Sequence, residues 1–109
     1  MNEILVITTT DSLDLARRIA LALVEAREAA CVNILNQVRS VYRWEGKICE
    51  EGECLLLVKS TRANLDAVCS TIRRLHSYSV PEIIALEIAA GDRGYLDWLR
   101  SEVAPRGSK

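Results

Sequence analysis

The chain opens with a short apolar run, Ile4 to Thr8, followed by Thr9, Thr10, Asp11 and Ser12. Hydroxyls and carboxylates in such a cluster accept the free N–H groups at the start of a helix, so the pattern predicts a strand leading into a helix. Leu13, Ala16, Ala20, Leu23 and Val24 recur at three- and four-residue spacing, which places that helix from about Ser12 to about Glu28. From Ala30 to Trp44 the period shortens to two, and Val38, Ser40, Tyr42 and Trp44 fall on one face of a long strand. Glu45-Gly46 supplies a tight turn. Lys47 to Lys59 then returns as a second long strand whose end, Cys54 to Val58, is apolar on both faces, as a central strand requires.

Ser60-Thr61 are placed to cap a second helix carrying Leu65, Val68, Cys69, Ile72 and Leu75 on one face, which ends near His76 ahead of Pro81. Ile83 to Ala89 reads as a fourth strand. Gly91-Asp92 opens a last short helix with Tyr95, Leu96, Trp98 and Leu99, and the tail from Ala104 to Lys109 is expected to fray. The order strand, helix, strand, strand, helix, strand is the split β-α-β arrangement, an α+β fold in which two right-handed crossovers lay both helices on one face of a four-stranded sheet. The opposite face has only the terminal helix to cover it, and Val38, Tyr42 and Trp44 lie on an arm that extends past the sheet. Self-association is the natural cover, so a homo-oligomer is expected.

At 109 residues the chain is expected to form a single domain over residues 1–109. Half of it is hydrophobic and it has no Phe, so the core must come from branched aliphatics. No apolar run approaches the roughly 20 residues needed to span a bilayer, and no basic segment precedes Ile4, which argues against membrane or export. With 14 basic and 15 acidic residues the net charge is -1, which gives no attraction to a phosphate backbone and argues against nucleic acid as a partner. Cys31, Cys49, Cys54 and Cys69 contain no C-x-x-C pair, so they read as small core hydrophobes or idle thiols in a reduced, cytoplasmic setting.

The fold hosts many functions, so the chemistry must come from particular residues. The first and third strands carry no aromatics for stacking RNA bases, the first loop lacks the cysteine pair of a soft-metal chaperone, and no glycine-rich anion loop with an arginine follows the first strand. His76 is the only histidine, and Cys69 lies two helical turns before it, so no nucleophile-and-base pair is built and no enzyme is expected. A helix-ending His76 also suits the simpler role of hydrogen-bonding the last carbonyls. The segment HSYSVPEI, His76 to Ile83, nevertheless packs an imidazole, a phenol, a proline and a carboxylate into eight residues. One imidazole and one carboxylate make no closed metal site, although a neighbouring chain in an oligomer could add ligands.

ACVNI (Ala30 to Ile34), SVYRWEGKI (Ser40 to Ile48), LLLVKST (Leu55 to Thr61), the HSYSVPEI segment and YLDWL (Tyr95 to Leu99) stand in the order and spacing of the divalent-cation-tolerance family, CutA, which the chain resembles from Ile4 to Leu99. The resemblance implies a ferredoxin-like domain in a PII-like homotrimer, the long hairpin of each copy extending a neighbour's sheet, with a role in copper and divalent-metal tolerance and no established enzymatic activity. Some members carry a cysteine at the end of the first strand and a His-His pair before Pro-Tyr. Here Thr8 and Leu75-His76 stand at those positions, and Ser77 and Ser79 replace the usual Pro and Glu. The expected metal site is therefore an open one, His76 helped by Glu82 or a neighbour's carboxylate, with Cu2+ the leading ion and no organic cofactor. The alternative is a PII-like signalling trimer whose subunit cleft holds a small anionic metabolite against Lys59, between Trp44 and Tyr78. Lys59 and Glu82 also suit a simpler role as an ion pair or as solvated strand ends.

Overall fold

A computed structural model describes residues 2–106. The elements run β1 (Glu3–Thr10), α1 (Leu13–Glu25), β2 (Cys31–Trp44), β3 (Lys47–Thr61), α2 (Leu65–Leu75), β4 (Ile84–Glu87) and α3 (Arg93–Glu102), with a short 3-10 turn over Arg62–Asn64 before α2. The strands form one sheet in the order β2-β3-β1-β4, and every neighbouring pair is antiparallel. This is the split β-α-β fold that the sequence predicts.

Local chemistry sets the boundaries. Ser12 caps α1 as expected, its hydroxyl accepting from Leu15 N. The helix stops at Glu25, short of the expected Glu28, because Arg27 takes a left-handed φ of 58° and the N–H groups of Glu28 and Ala29 turn back to Leu23 O. Ser60 and Thr61 do not cap α2. Both are buried in β3, where Ser60 Oγ donates to Glu28 O and Thr61 Oγ1 accepts from Asn64 Nδ2. β4 keeps only four ladder residues of the expected Ile83 to Ala89. In the segment expected to fray, Ala104 N donates to Arg27 O, and Arg106 Nε donates to Asn64 Oδ1. Gly107 to Lys109 lie outside the described residues.

The sheet has two unlike faces. Ile4, Val6, Leu56 and Val58 are buried against Ile19 and Leu23 of α1 and Val68 and Ile72 of α2, forming the core. On the other face the register aligns two rows across the strands, Leu86-Leu5-Lys59-Cys31 and Ile84-Ile7-Leu57-Asn33. The third helix crosses part of this face, burying Leu99 with Ala30 and Val103, but Ile84 and Leu86 remain 50% exposed.

Two features shape the hairpin. Glu45 and Gly46 both have positive φ, 50° and 78°, which matches a two-residue turn whose twist follows that of the strands. A β-bulge between Leu35 and Val38, with Gln37 at φ 64°, inserts one extra residue into β2. Because side chains alternate, the extra residue switches parity, so Cys31, Asn33 and Leu35 share a face with Val38, Ser40, Tyr42 and Trp44. β1 ends opposite Cys54, so from Glu53 back to Lys47 β3 has β2 as its only ladder partner.

α3 is tied to the sheet by charge. Glu3 is buried and pairs with Arg100, which also reaches Asp97. The Arg100 hydrogen bond holds the Glu3 carboxyl below its ordinary value, against burial, which pushes it up. A carboxylate favoured in the folded state contributes stability above its ordinary pKa and loses it as pH falls through the lower folded value. Glu3→Gln should therefore cost about 1–3 kcal/mol near neutral pH. The difference from the parent, read from urea midpoints, should shrink as pH falls toward about 3. A difference constant over that interval would assign the loss to packing instead of charge.

Candidate functional site

α2 ends where His76 N donates to Ile72 O, and the chain then passes the end of β1 into the crook from which the arm departs. The His76 ring does not bond the helix carbonyls. Its Nε2 lies 2.7 Å from Thr9 O, and its Nδ1 lies 3.0 Å from Tyr78 N. A carbonyl can only accept and a backbone N–H can only donate, so Nε2 carries the proton and Nδ1 accepts. The neutral imidazole has a single lone pair in the ring plane, and Tyr78 occupies it. Ser77 Oγ donates to Asp11 Oδ2 at 3.1 Å, which fastens the same segment a second time to the loop after β1.

Thus placed, Tyr78 stacks at a tilt on His76, with ring centroids 4.7 Å apart, and its phenol donates to Glu53 Oε2 at 2.7 Å. Glu53 is only 9% exposed, so this bond compensates a carboxylate largely withdrawn from water. One row further along the arm, Tyr42 donates to Glu51 Oε1 at 2.7 Å. Burial first, then the bond to Glu53 and the negative charges of Glu53, Asp11 and Glu51, raise the Tyr78 phenol above its ordinary range. The bond to Glu51 pushes Tyr42 up to about 12. Both phenols therefore remain protonated donors at neutral pH.

The arm and the 76–83 segment enclose a groove of about 600 Å³, lined by Tyr42, Trp44 and Glu53 from the arm and by Tyr78, Val80 and Glu82 from the segment. Of the residues singled out from sequence, Trp44, Tyr78 and Glu82 meet here. His76 lies behind Tyr78 and does not line the groove. Lys59 stands elsewhere: it is 12 residues along β3 from Lys47, the partner of Trp44, roughly 40 Å at a strand rise of about 3.3 Å per residue. There it donates to Asn33 Oδ1 and sits 5.9 Å from the centre of the Tyr95 ring. Within one chain, then, the groove has the two expected aromatic walls, but its charged members are the carboxylates Glu53 and Glu82.

Glu53 escapes sequence inspection because its importance depends on the bulge, which sets it opposite Val38 on the face that Tyr78 reaches. A carboxylate opening an otherwise apolar strand end was its only signal. Thr8, at the position where some CutA members carry a cysteine, is fully buried, and its hydroxyl has no hydrogen-bond partner among the described residues. No group of three or more His, Cys, Asp or Glu side chains that could hold a metal ion occurs among the described residues. The described residues of one chain thus assemble no closed metal site.

Residues 4–102 match the family described as CutA1 divalent ion tolerance protein. The divalent-cation tolerance protein CutA of Thermus thermophilus is 52% identical over 98 residues, covering 90% of this chain and 95% of that protein. The chain spans about half the length of longer relatives from Oryza sativa and Homo sapiens, 56% and 48% respectively. Among solved structures, the divalent cation tolerance protein Cut A1 of Thermus thermophilus superposes with a TM-score of 0.92 at 50% identity, over 94% of this chain and 99% of that one. The structure described as the periplasmic divalent cation tolerance protein CutA of Archaeoglobus fulgidus gives 0.90 at 36% identity, over 94% and 99%. By family match, sequence identity and fold, this chain belongs to the CutA1 divalent ion tolerance family.

Proposed function

We propose that the chain works as a cytoplasmic homotrimer in copper and divalent-cation homeostasis, binding the ion weakly and without catalytic turnover. Membership in a divalent-cation-tolerance family, which is not a known enzyme family, supports the role. The observation that carries the charge preference is the groove in front of His76, whose lining holds the acidic residues Glu53 and Glu82 and neither Lys nor Arg. Four free thiols, three of them partly exposed, suit a reducing compartment. No helix among the described residues is long and apolar enough to cross a membrane.

The trimer is supported by the two half-covered apolar rows and by the arm. Val41 and Ile48, 65% and 70% exposed, lie on the arm's second face, so a two-stranded ribbon carries apolar side chains on both sides. An isolated ribbon of this kind is marginal in water and gains stability by docking on another sheet. Light scattering after size exclusion should give three times the 12.1 kDa of the chain. Ile84→Asp, which puts a charge into the Ile84-Ile7-Leu57-Asn33 row, should shift the mass downward while helical circular dichroism is retained. A 12.1 kDa species for the parent would remove the trimer.

For the metal, His76 is the imidazole that sequence offers, with Glu82 or a neighbour's carboxylate beside it. Coordination at Nδ1 must displace the Tyr78 N–H, so affinity is held down by the loss of that bond, a net cost of about 0.5–1.5 kcal/mol. Titration calorimetry should show modest binding led by Cu(II) over Zn(II) and Ni(II), the usual order for nitrogen and oxygen ligands. His76→Ala should abolish it. Cu(II) binding that survives His76→Ala and vanishes in a cysteine-free variant would move the site to the thiols.

A further inference from the structure

We infer that the groove between the arm and the 76–83 segment is a binding site for an organic ammonium ion with an apolar or aromatic body. Its volume of about 600 Å³ lies inside the range of about 300–1,000 Å³ typical of small-molecule sites. The charged groups facing it are carboxylates, and the donors in its lining, the hydroxyls of Thr9, Ser40 and Ser79 and the Trp44 indole N–H, are neutral. Tyr78 and Tyr42 have committed their only O–H donors to Glu53 and Glu51, so both phenol oxygens offer lone pairs alone. Glu53 uses Oε2 for Tyr78, and its second oxygen has no partner among the described residues. Glu82 adds a second carboxylate from the opposite wall.

The charge of this lining favours a positively charged ligand. A carboxylate or phosphate would meet two carboxylates, with no cationic side chain in the lining to offset them. The walls then separate organic from inorganic cations. Trp44, Tyr42 and Tyr78 present aromatic surface, which attracts a weakly hydrated ammonium through the ring quadrupole. A hard divalent ion instead requires about six oxygen ligands or its own retained waters, and aromatic walls supply neither. The groove reaches back to Thr9 near the end of β1, at the margin of the apolar rows that self-association would cover, so the native assembly is the form to test. The site shares Glu82 with the metal reading, whereas His76, the residue that reading depends on, does not line the groove.

The test is titration calorimetry on the full chain in its native assembly with phenethylammonium and with 3-phenylpropanoate, which share a ring and a two-carbon spacer and differ in the sign of charge. Phenethylammonium should bind at least about tenfold more tightly than the carboxylate, given like-charge penalties of more than a kcal/mol. Glu53→Gln, which retains an acceptor for the Tyr78 phenol, and Glu82→Gln should each weaken it about two- to fivefold at unchanged molecular mass. A parallel Cu(II) titration separates the two readings, because loss of copper binding in His76→Ala leaves these ratios to be judged alone. Equal binding of the two probes, no binding of either up to millimolar concentration because a neighbouring copy fills the groove, or indifference to both glutamine variants would overturn the assignment.

Discussion

Much of this molecule follows from where β1 stops. Its ladder with β3 ends at Thr10 opposite Cys54, while β3 continues back to Lys47 with β2 alone. Up to that point the sheet is backed by two helices and is four strands wide over Ile4–Ile7, where β4 pairs, and three strands wide from Thr8 to Thr10. Beyond it a ribbon two strands wide carries Tyr42 and Trp44 on one face and Val41 and Ile48 on the other, without the layer that normally buries such residues. The narrowing from four strands through three to two creates the crook, and the chain leaving α2 has to pass through it to begin β4. A groove bounded by strand on one side and loop on the other is the geometric result.

The step also explains which parts of the fold could be read from sequence. Elements whose periodicity is uninterrupted, β1, α1, α2 and α3, are visible as patterns, and Ser12 as the cap of α1 is legible because a hydroxyl three residues ahead of a free N–H has one obvious use. The failures occur where tertiary context outweighs local preference. Ser60 and Thr61 look like caps but are worth more as buried strand residues bonded to Glu28 and Asn64, so the helix start slides past them through a 3-10 turn. The bulge at Asn36-Gln37 is invisible because neither residue is glycine, yet it moves every later β2 side chain to the opposite parity. Without it the face containing Tyr42 and Trp44 is read correctly as a set but cannot be joined to Leu35 and Glu53.

The site divides in the same way. Tyr78, Trp44 and Glu82 were recognisable as chemistry-bearing residues in dense motifs, and they do converge. Lys59 looked equivalent by the same standard, and within one chain it stands six residues along β3 from Glu53, roughly 20 Å at a strand rise of about 3.3 Å per residue, beside Asn33 and Tyr95, whereas the cleft expected for it lies between subunits. Motif density reports that a segment matters. It cannot report distance, within one chain or across a subunit cleft.

The position of Tyr78 against Glu53 can be traced back to a single backbone carbonyl. Thr9 O, at the end of β1, accepts from His76 Nε2 and thereby fixes the imidazole tautomer. That leaves Nδ1 to accept from Tyr78 N, which orients the tyrosine so that its phenol reaches Glu53. The bond sets a donor against a side chain largely withdrawn from water and uses up the phenol's own hydrogen. The only histidine of the chain therefore acts through the residue it positions, and the aromatic ring it places forms one wall of the groove.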